Sequence, residues 1–480
     1  MKKSLAAVFA VLSVIAIIFP LVLAPLVVLF TPSQFDYTLN GGLDEKYDRL
    51  MSIKEEKIIV IGGSSVAFGL DSETLERYTG RPVVNFGLYA DLGTKLMLDL
   101  SRPGVGEGDI IVLAPELDEQ TLSLYFSAEQ TLMALDGRPD MVAKLPVDDI
   151  LSLVGGSFSF AYDKLSCMNE GKPNPEGVYN SQNLNEYGDI DYPRAQNIMP
   201  RYYAPNKMVN LSPWALDTAE FNEFIDYVND YIGYAKRRGA TVLFSFCPVN
   251  ELGVADGITE LDILEYEEKI SEKIDCPVIS DIKDYIMEAG YFYDTNFHLN
   301  EVGAELRTLR LAKDIRFECE ITAGILPKDE PEAPALPGLD TVFEGIDEND
   351  RYFLYEEISN GSYAIVGLSD LASGLETLTV PLGYNGRKVT VIKEGAFSGS
   401  LVVSLVITAD SNIQIVETGA FFGASNLKEV KIYKNDPNTI APPFGISGVH
   451  EDFRFYTPAG AYYKVHYEWS RLKDLIVENL

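Results

Sequence analysis

The chain has 480 residues, room for two or three domains at ~150 residues each. Its 72 Asp plus Glu against 39 Lys plus Arg leave a formal charge of -33, which repels phosphate backbones and excludes nucleic acid as the partner. Hydrophobic residues at 46% and charged residues at 23% lie in the globular range, so the bulk of the chain folds.

Met1-Lys2-Lys3 is followed by an uncharged, mostly apolar run from Ser4 to about Phe30, longer than the ~20 residues a bilayer requires. Lysines precede the run and Asp36, Asp44, Glu45 and Asp48 follow it, so the pattern predicts a single-pass membrane helix with a cytoplasmic N-terminus and an extracytoplasmic bulk. A cleaved signal peptide is the alternative, set against by the length of the run and by Pro25 directly after Ala24. The expected division is 1–33 stub and anchor, 34–56 juxtamembrane segment, 57–325 first domain, 326–342 linker and 343–480 second domain.

From Lys57 apolar strands alternate with amphipathic helices. KIIVIGG opens the series, and PVVNFG (82–87), DIIVLAP (109–115), ATVLFSFCPV (240–249) and CPVISD (276–281) continue it, with a helix expected over 219–239. Continuous apolar strands between helices imply α/β architecture with a mostly parallel sheet covered on both faces. The stretch 120–215, aromatic and amide-rich, reads as an insertion over the sheet. Cys167, Cys247, Cys276 and Cys319 lie far apart without a CxxC pair, which gives neither a zinc knuckle nor a dense disulfide framework, and Cys247 inside a strand pattern is expected to be a buried thiol.

The segment 326–340 carries Pro327, Pro331, Pro334 and Pro337 with almost no periodicity, as an exposed linker would. Beyond it VIKEGAFSGS (391–400) recurs 24 residues later as IVETGAFFGA (415–424). The triplets Leu375/Leu378/Val380, Val402/Leu405/Ile407 and Leu427/Val430/Ile432 return at spacings of 27 and 25. Such periods predict a short solenoid. These residues resemble the BspA-type leucine-rich repeat, with an Ala-Phe pair in a Gly-containing turn followed by Leu-x-x-Leu-x-Ile. The closing FYTPAGAYYKVHYEWSRLKDLI (455–476) is similar to that family's C-terminal end. The resemblance implies a module that binds a protein or an extended polymer. His450 and His466 read as structural or exposed.

The chemistry concentrates in GGSSVAFGLD (62–71), a strand-to-helix turn that points a serine hydroxyl at the C-terminal edge of the sheet. At the other end of the domain GYFYDTNFHLNEVGA (290–304) supplies Asp294 and His298, the only histidine before His450. A lone histidine is commonly structural, but one beside a carboxylate after the last αβ unit is what a Ser-His-Asp arrangement requires. The chain from about 57 to 316 resembles the SGNH, or GDSL-type, hydrolases, particularly a membrane-anchored branch associated with cell-envelope O-acyl groups.

That resemblance implies a flavodoxin-like three-layer fold and a serine esterase or O-acyl(acetyl)transferase acting on cell-envelope or extracellular glycans without a cofactor or metal. Gly63-Ser64-Ser65-Val66-Ala67-Phe68-Gly69 matches the nucleophile block, with Ser65 as nucleophile and Ser64 in the place usually held by Asp. His298 and Asp294 match the base and acid, and the N–H groups of Ser65 and Gly87 the oxyanion hole. Ala114-Pro115-Glu116-Leu117 stands where the family has Gly-x-Asn-Asp, so Glu116 replaces an amide donor, and Asn85 or Asn296 is the expected substitute. The usual Asp-x-x-His is stretched to Asp294-x-x-x-His298, which leaves open whether Asp294 or Asn296 orients the imidazole. Tyr179, Asn185, Tyr187 and Arg194 of the insertion, with Asp189, are candidates to line a carbohydrate cleft or else to pack as a lid. Whether the domain is an enzyme stays open at this point. The alternative is a catalytically degenerate adhesion or scaffold protein that binds through both domains.

Overall fold

The computed structural model describes residues 22–199, 209–334, 342–358, 361–466 and 468–478. The chain divides into two compact units, the first Met1–Asn197 with Lys207–Ala335 and the second Ile198–Asn206 with Leu336–Leu480.

Four short apolar strands carry the first unit: β1 (Ile58–Gly62), β2 (Val83–Gly87), β3 (Ile110–Ala114) and β4 (Thr241–Phe244). They pair in parallel in the order β2-β1-β3-β4, with Ile61 opposite Phe86 and Leu113, and Leu113 opposite Phe244. Successive side chains point to opposite faces of a sheet. Ile59, Ile61, Val84, Phe86, Ile111, Leu113, Val242 and Phe244 join one core with the helices Leu43–Ser52, Thr94–Ser101 and Ala219–Arg237. Ile58, Val60, Val83, Ile110, Val112 and Leu243 join another with the helices Ser72–Thr79 and Glu301–Glu318. Both faces are therefore covered, which is why these strands read as unbroken apolar runs.

The expected strand at 276–281 is reduced to a single bridge between Val278 and Phe244. Phe244 N–H donates to Pro277 O and Ile279 N–H donates to Phe244 O, but the next strand donor, Phe246 N–H, is taken by the Ser280 hydroxyl at 2.8 Å. Pro277 has no N–H to offer, so the ladder stops after two bonds. Beyond β4 a two-residue pair, β5 (Val249–Asn250) and β6 (Ile286–Met287), lies parallel. Cys247 is buried, and its thiol is pushed up by that burial.

Between β3 and β4 the insertion supplies helices Ala128–Ala134, Pro139–Val142 and Val147–Glu170 before an irregular stretch. The helix Ala24–Phe30 packs on Val147–Glu170, with Ala24 and Val28 in the core. The single-pass placement is corrected here. Among the described residues no helix is long and apolar enough to cross a membrane. Ala24–Phe30 rises about 10 Å at 1.5 Å per residue, against ~30 Å of hydrocarbon. Residues 4–21 of the expected anchor lie outside the described residues.

The second unit is built from strands in two parallel ladders. In one, β9 (Thr377–Thr379), β12 (Ser404–Ile407), β14 (Glu429–Ile432), β15 (Arg454–Thr457) and β16 (Ile476–Glu478) align Leu378, Leu405, Val430, Phe455 and Ile476. In the other, β8 (Tyr363–Leu368), β11 (Arg387–Ile392) and β13 (Ile415–Val416) align Ile365, Ile392 and Val416, while β7 (Phe353–Glu357) and β10 (Gly383–Tyr384) add antiparallel edges. The duplicated Gly-Ala-Phe turns stack, with Gly395 N–H on Gly419 O at 2.9 Å and Gly399 N–H on Gly423 O at 3.0 Å. All four glycines have φ between 71° and 80°, the left-handed region, so the repeated glycines mark a repeated backbone shape. Phe397 and Phe421 follow one another in the interior at 5.7 Å between centroids.

One buried ion pair ties the N-terminal helix to the insertion. Lys164 Nζ donates to Val28 O at 2.8 Å and Thr31 O at 3.0 Å and pairs with Asp136, and both side chains are fully buried. Removing Asp136 leaves the buried ammonium with carbonyl acceptors but no counter-charge, so Asp136→Ala is expected to cost ~3–5 kcal/mol, read as a fall in the urea midpoint at unchanged slope.

Candidate active site

The register of β1 and β3 sets Gly62 opposite Ala114, so the turns leaving the two strands run side by side. After Gly63 the chain enters the short helix Ser64–Phe68, and after Ala114 it passes through Pro115 to Glu116. Glu116 Oε1 accepts the Ser65 N–H at 2.6 Å and the Ser64 hydroxyl at 2.9 Å. A Cβ on Gly63 would stand 2.9 Å from that oxygen and push the carboxyl from this position. Ser65 is fully buried, and its Oγ makes no hydrogen bond among the described residues.

The extra residue in Asp294-x-x-x-His298 does not part the pair. Phe292 and Leu299 form an antiparallel bridge, Tyr293 N–H donates to His298 O at 2.8 Å, and the Thr295 hydroxyl accepts from the N–H groups of Phe297 and His298. This tight hairpin brings His298 Nδ1 to 2.7 Å from Asp294 Oδ1. Tyr179 donates its hydroxyl to Asp294 Oδ2 at 2.7 Å. The imidazole lies flat on Phe68, 3.9 Å between centroids at 7°, so it sits against the helix that carries Ser65. Asn300 accepts from Gly303 N–H as the N-cap of helix Glu301–Glu318, which gives the residues after His298 a structural task.

The expected oxyanion donors are placed otherwise. Gly87 N–H donates to Asn85 Oδ1 at 3.2 Å. Asn85 is no substitute donor, because its Nδ2 is committed to Val66 O at 3.0 Å and Asp189 Oδ1 at 2.7 Å. Asn296 gives its backbone oxygen to Asn250 N–H, and its side chain fits only because Gly253 lacks a Cβ, which would come within 2.4 Å of both amide atoms.

Of the candidate cleft residues, Tyr179 reaches the Asp294–His298 pair. Arg194 is buried and donates to the carbonyls of Phe68, Ile190 and Leu299, which clips the Ser65 helix to the His298 hairpin. Asn185 accepts from Tyr187 N–H and Asp189 N–H and so closes a turn, while the Tyr187 ring lies 4.3 Å beneath the Arg49 guanidinium. These two build the loop and do not meet Ser65. Asp189 accepts from Ser72 and Asn85.

Two buried cations were not singled out from the sequence. Lys46 Nζ contacts Asn85 O, Asn85 Oδ1 and Gly188 O, and burial pulls its ammonium down to about 7 although Asp189 and Glu45 work the other way. Arg307 is fully buried beneath the serine turn, with Nη1 3.5 Å from Ser65 O and 3.4 Å from Gly69 O, and burial pulls its guanidinium down as well. A signal existed: Arg307 stands on the stripe of Gly303, Ala304, Leu311 and Ile315, where a cation is out of place. Burial above all, and then the Asp118 carboxylate, raise Glu116, against the donors Ser65 and Ser64 and the nearby His298.

Among the described residues no group of three His, Cys, Asp or Glu side chains is disposed to hold a metal ion. Comparison with family models, curated proteins and solved structures gives no match to this chain.

The Tyr179 hydroxyl is the longest-range support of the pair, crossing 115 residues of sequence. Tyr179→Phe is expected to destabilise the protein by ~1–3 kcal/mol, the cost of withdrawing a donor from a buried carboxyl, as measured by chemical denaturation.

Proposed function

We propose that the first unit is an SGNH-like serine esterase or O-acyltransferase acting on acylated glycans. The observation that carries this reading is the His298 Nδ1 to Asp294 Oδ1 contact of 2.7 Å, set against the helix on which Ser65 Oγ stands buried without a hydrogen bond among the described residues. A parallel sheet of order β2-β1-β3-β4 with helices on both faces supports the flavodoxin-like assignment. An aspartate on Nδ1 fixes the tautomer that leaves Nε2 to accept a proton, as general-base catalysis at serine demands. Ser65 Oγ bonds to the ester carbon while its proton passes to His298 Nε2. The leaving alcohol then takes that proton, and water or a sugar hydroxyl resolves the acyl-enzyme. The stacked rungs of the second unit support a BspA-type repeat module that holds the polymer or a protein partner.

A second reading is favoured by Glu116. With its carboxyl on the Ser65 N–H, the unit is a binding domain of hydrolase ancestry. The two separate on one experiment. Under the serine reading a fluorophosphonate labels Ser65 in the intact protein, Ser65→Ala abolishes the label, and His298→Ala slows it at least ~10²-fold. An unlabelled wild type, or a label that survives in Ser65→Ala, establishes the binding domain.

A further inference from the structure

We propose that Glu116 acts as a neutral carboxylic acid whose Oε2–H gives the forming oxyanion the hydrogen bond that an asparagine amide gives in the family this unit resembles. The inference rests on the serine reading above. Its ground is the uneven use of the two carboxyl oxygens. Oε1 accepts both donors, Ser65 N–H and Ser64 O–H, while Oε2 accepts none among the described residues. Glu116 is 2% exposed. With both donors on Oε1, Oε2 is the oxygen left to carry the proton of the neutral acid.

The groups that face it divide. Asp118 on its own segment favours the proton, as does burial; His298 on the closing hairpin, Arg307 on helix Glu301–Glu318 and the two donors to Oε1 favour the charge. Cys247, beyond β4, is itself driven toward the neutral thiol by burial. Reaction chemistry points the same way as burial, because an ionised Glu116 beside an oxyanion would place two like charges together. Donation into Oε1 polarises the acid and strengthens its O–H as a donor.

The step balances without a co-reactant. Ser65 Oγ bonds to the acyl carbon, the serine proton moves to His298 Nε2, and the carbonyl π pair moves onto oxygen, which accepts from Glu116 Oε2–H without taking that proton. On collapse the pair returns, the bond to the leaving oxygen breaks, and that oxygen takes the proton from His298. Glu116 begins and ends protonated.

The test is made on the whole protein in two measurements. Difference infrared spectra of wild type against Glu116→Gln at neutral pH should show loss of a protonated-carboxyl stretch; loss of carboxylate bands overturns the proposal. The fluorophosphonate labelling rate of Ser65, followed against pH, should fall on the alkaline side in wild type, and that limb should vanish in Glu116→Gln while Glu116→Ala loses ~10²–10³-fold at every pH. An alkaline limb that persists in Glu116→Gln shows a merely structural residue and overturns the proposal while the serine reading stands. A protonated band with Ser65 unlabelled at every pH overturns the serine reading, and the donor role with it. Glu116→Asn, which restores the amide, serves both measurements should Glu116→Gln fail to fold.

Discussion

The contact between the Glu116 carboxyl and the Ser65 N–H is the joint on which the edge of the first sheet turns. It exists because β1 and β3 are neighbours in register, so that their C-terminal turns emerge together, and because Gly63 leaves room for a carboxyl where a Cβ would collide. A slip of one residue between those strands would send every side chain to the opposite face and carry Glu116 away from the serine. The buried Lys57–Asp109 pair, 2.9 Å apart at the other end of the same two strands, holds that register in place. Sheet and site are thus one construction: the apolar alternation that covers both faces also decides what meets at the edge.

What was legible in the sequence follows from how local each feature is. The apolar runs at 58–62, 83–87 and 110–114 announce strands because burial on both faces leaves no polar alternation to confuse them. Asp294 and His298 could be paired on paper because they share one hairpin, and Thr295 between them closes the turn that absorbs the extra residue. Asn85 was misread for the opposite reason. Its partners Asp189 and Lys46 lie 104 and 39 residues away, and no spacing rule reveals that an amide is already spent. The run at 276–281 has the composition of a strand, yet Pro277 and the Ser280 hydroxyl decide its pairing, and that is settled only once β4 lies beside it. The apolar N-terminal run was judged by length and flanking charge, a measure blind to the packing of Ala24 and Val28 against a helix more than a hundred residues on.

The second unit is legible in more detail because its geometry repeats where its sequence repeats. Each strand of the longer ladder places an apolar residue beside the last, from Leu378 through Leu405, Val430 and Phe455 to Ile476, and the second Gly-Ala-Phe turn places Phe421 on Phe397 of the first. The spacings of 27 and 25 in the sequence there fall on residues paired across neighbouring parallel strands.

The distribution of positive charge completes the argument. In a chain of formal charge -33, cations are scarce, yet Lys46, Lys164, Arg194 and Arg307 are buried and direct themselves largely at backbone carbonyls. Val28 O, Ser65 O and Phe68 O lie in the last turn of a short helix, where carbonyls lack intrahelical donors, and a guanidinium or ammonium supplies them. Two of the four converge on the serine helix: Arg194 takes Phe68 O, and Arg307 approaches Ser65 O and Gly69 O. Glu116 holds the same five-residue helix from the Ser65 N–H. The serine helix is therefore held from both ends, by Glu116 after β3 and by two cations, Arg194 from the insertion and Arg307 from helix Glu301–Glu318. Such support from behind is what gives a reacting group its geometry. A change at Arg194 or Arg307 would accordingly act on Ser65 through the helix that carries it.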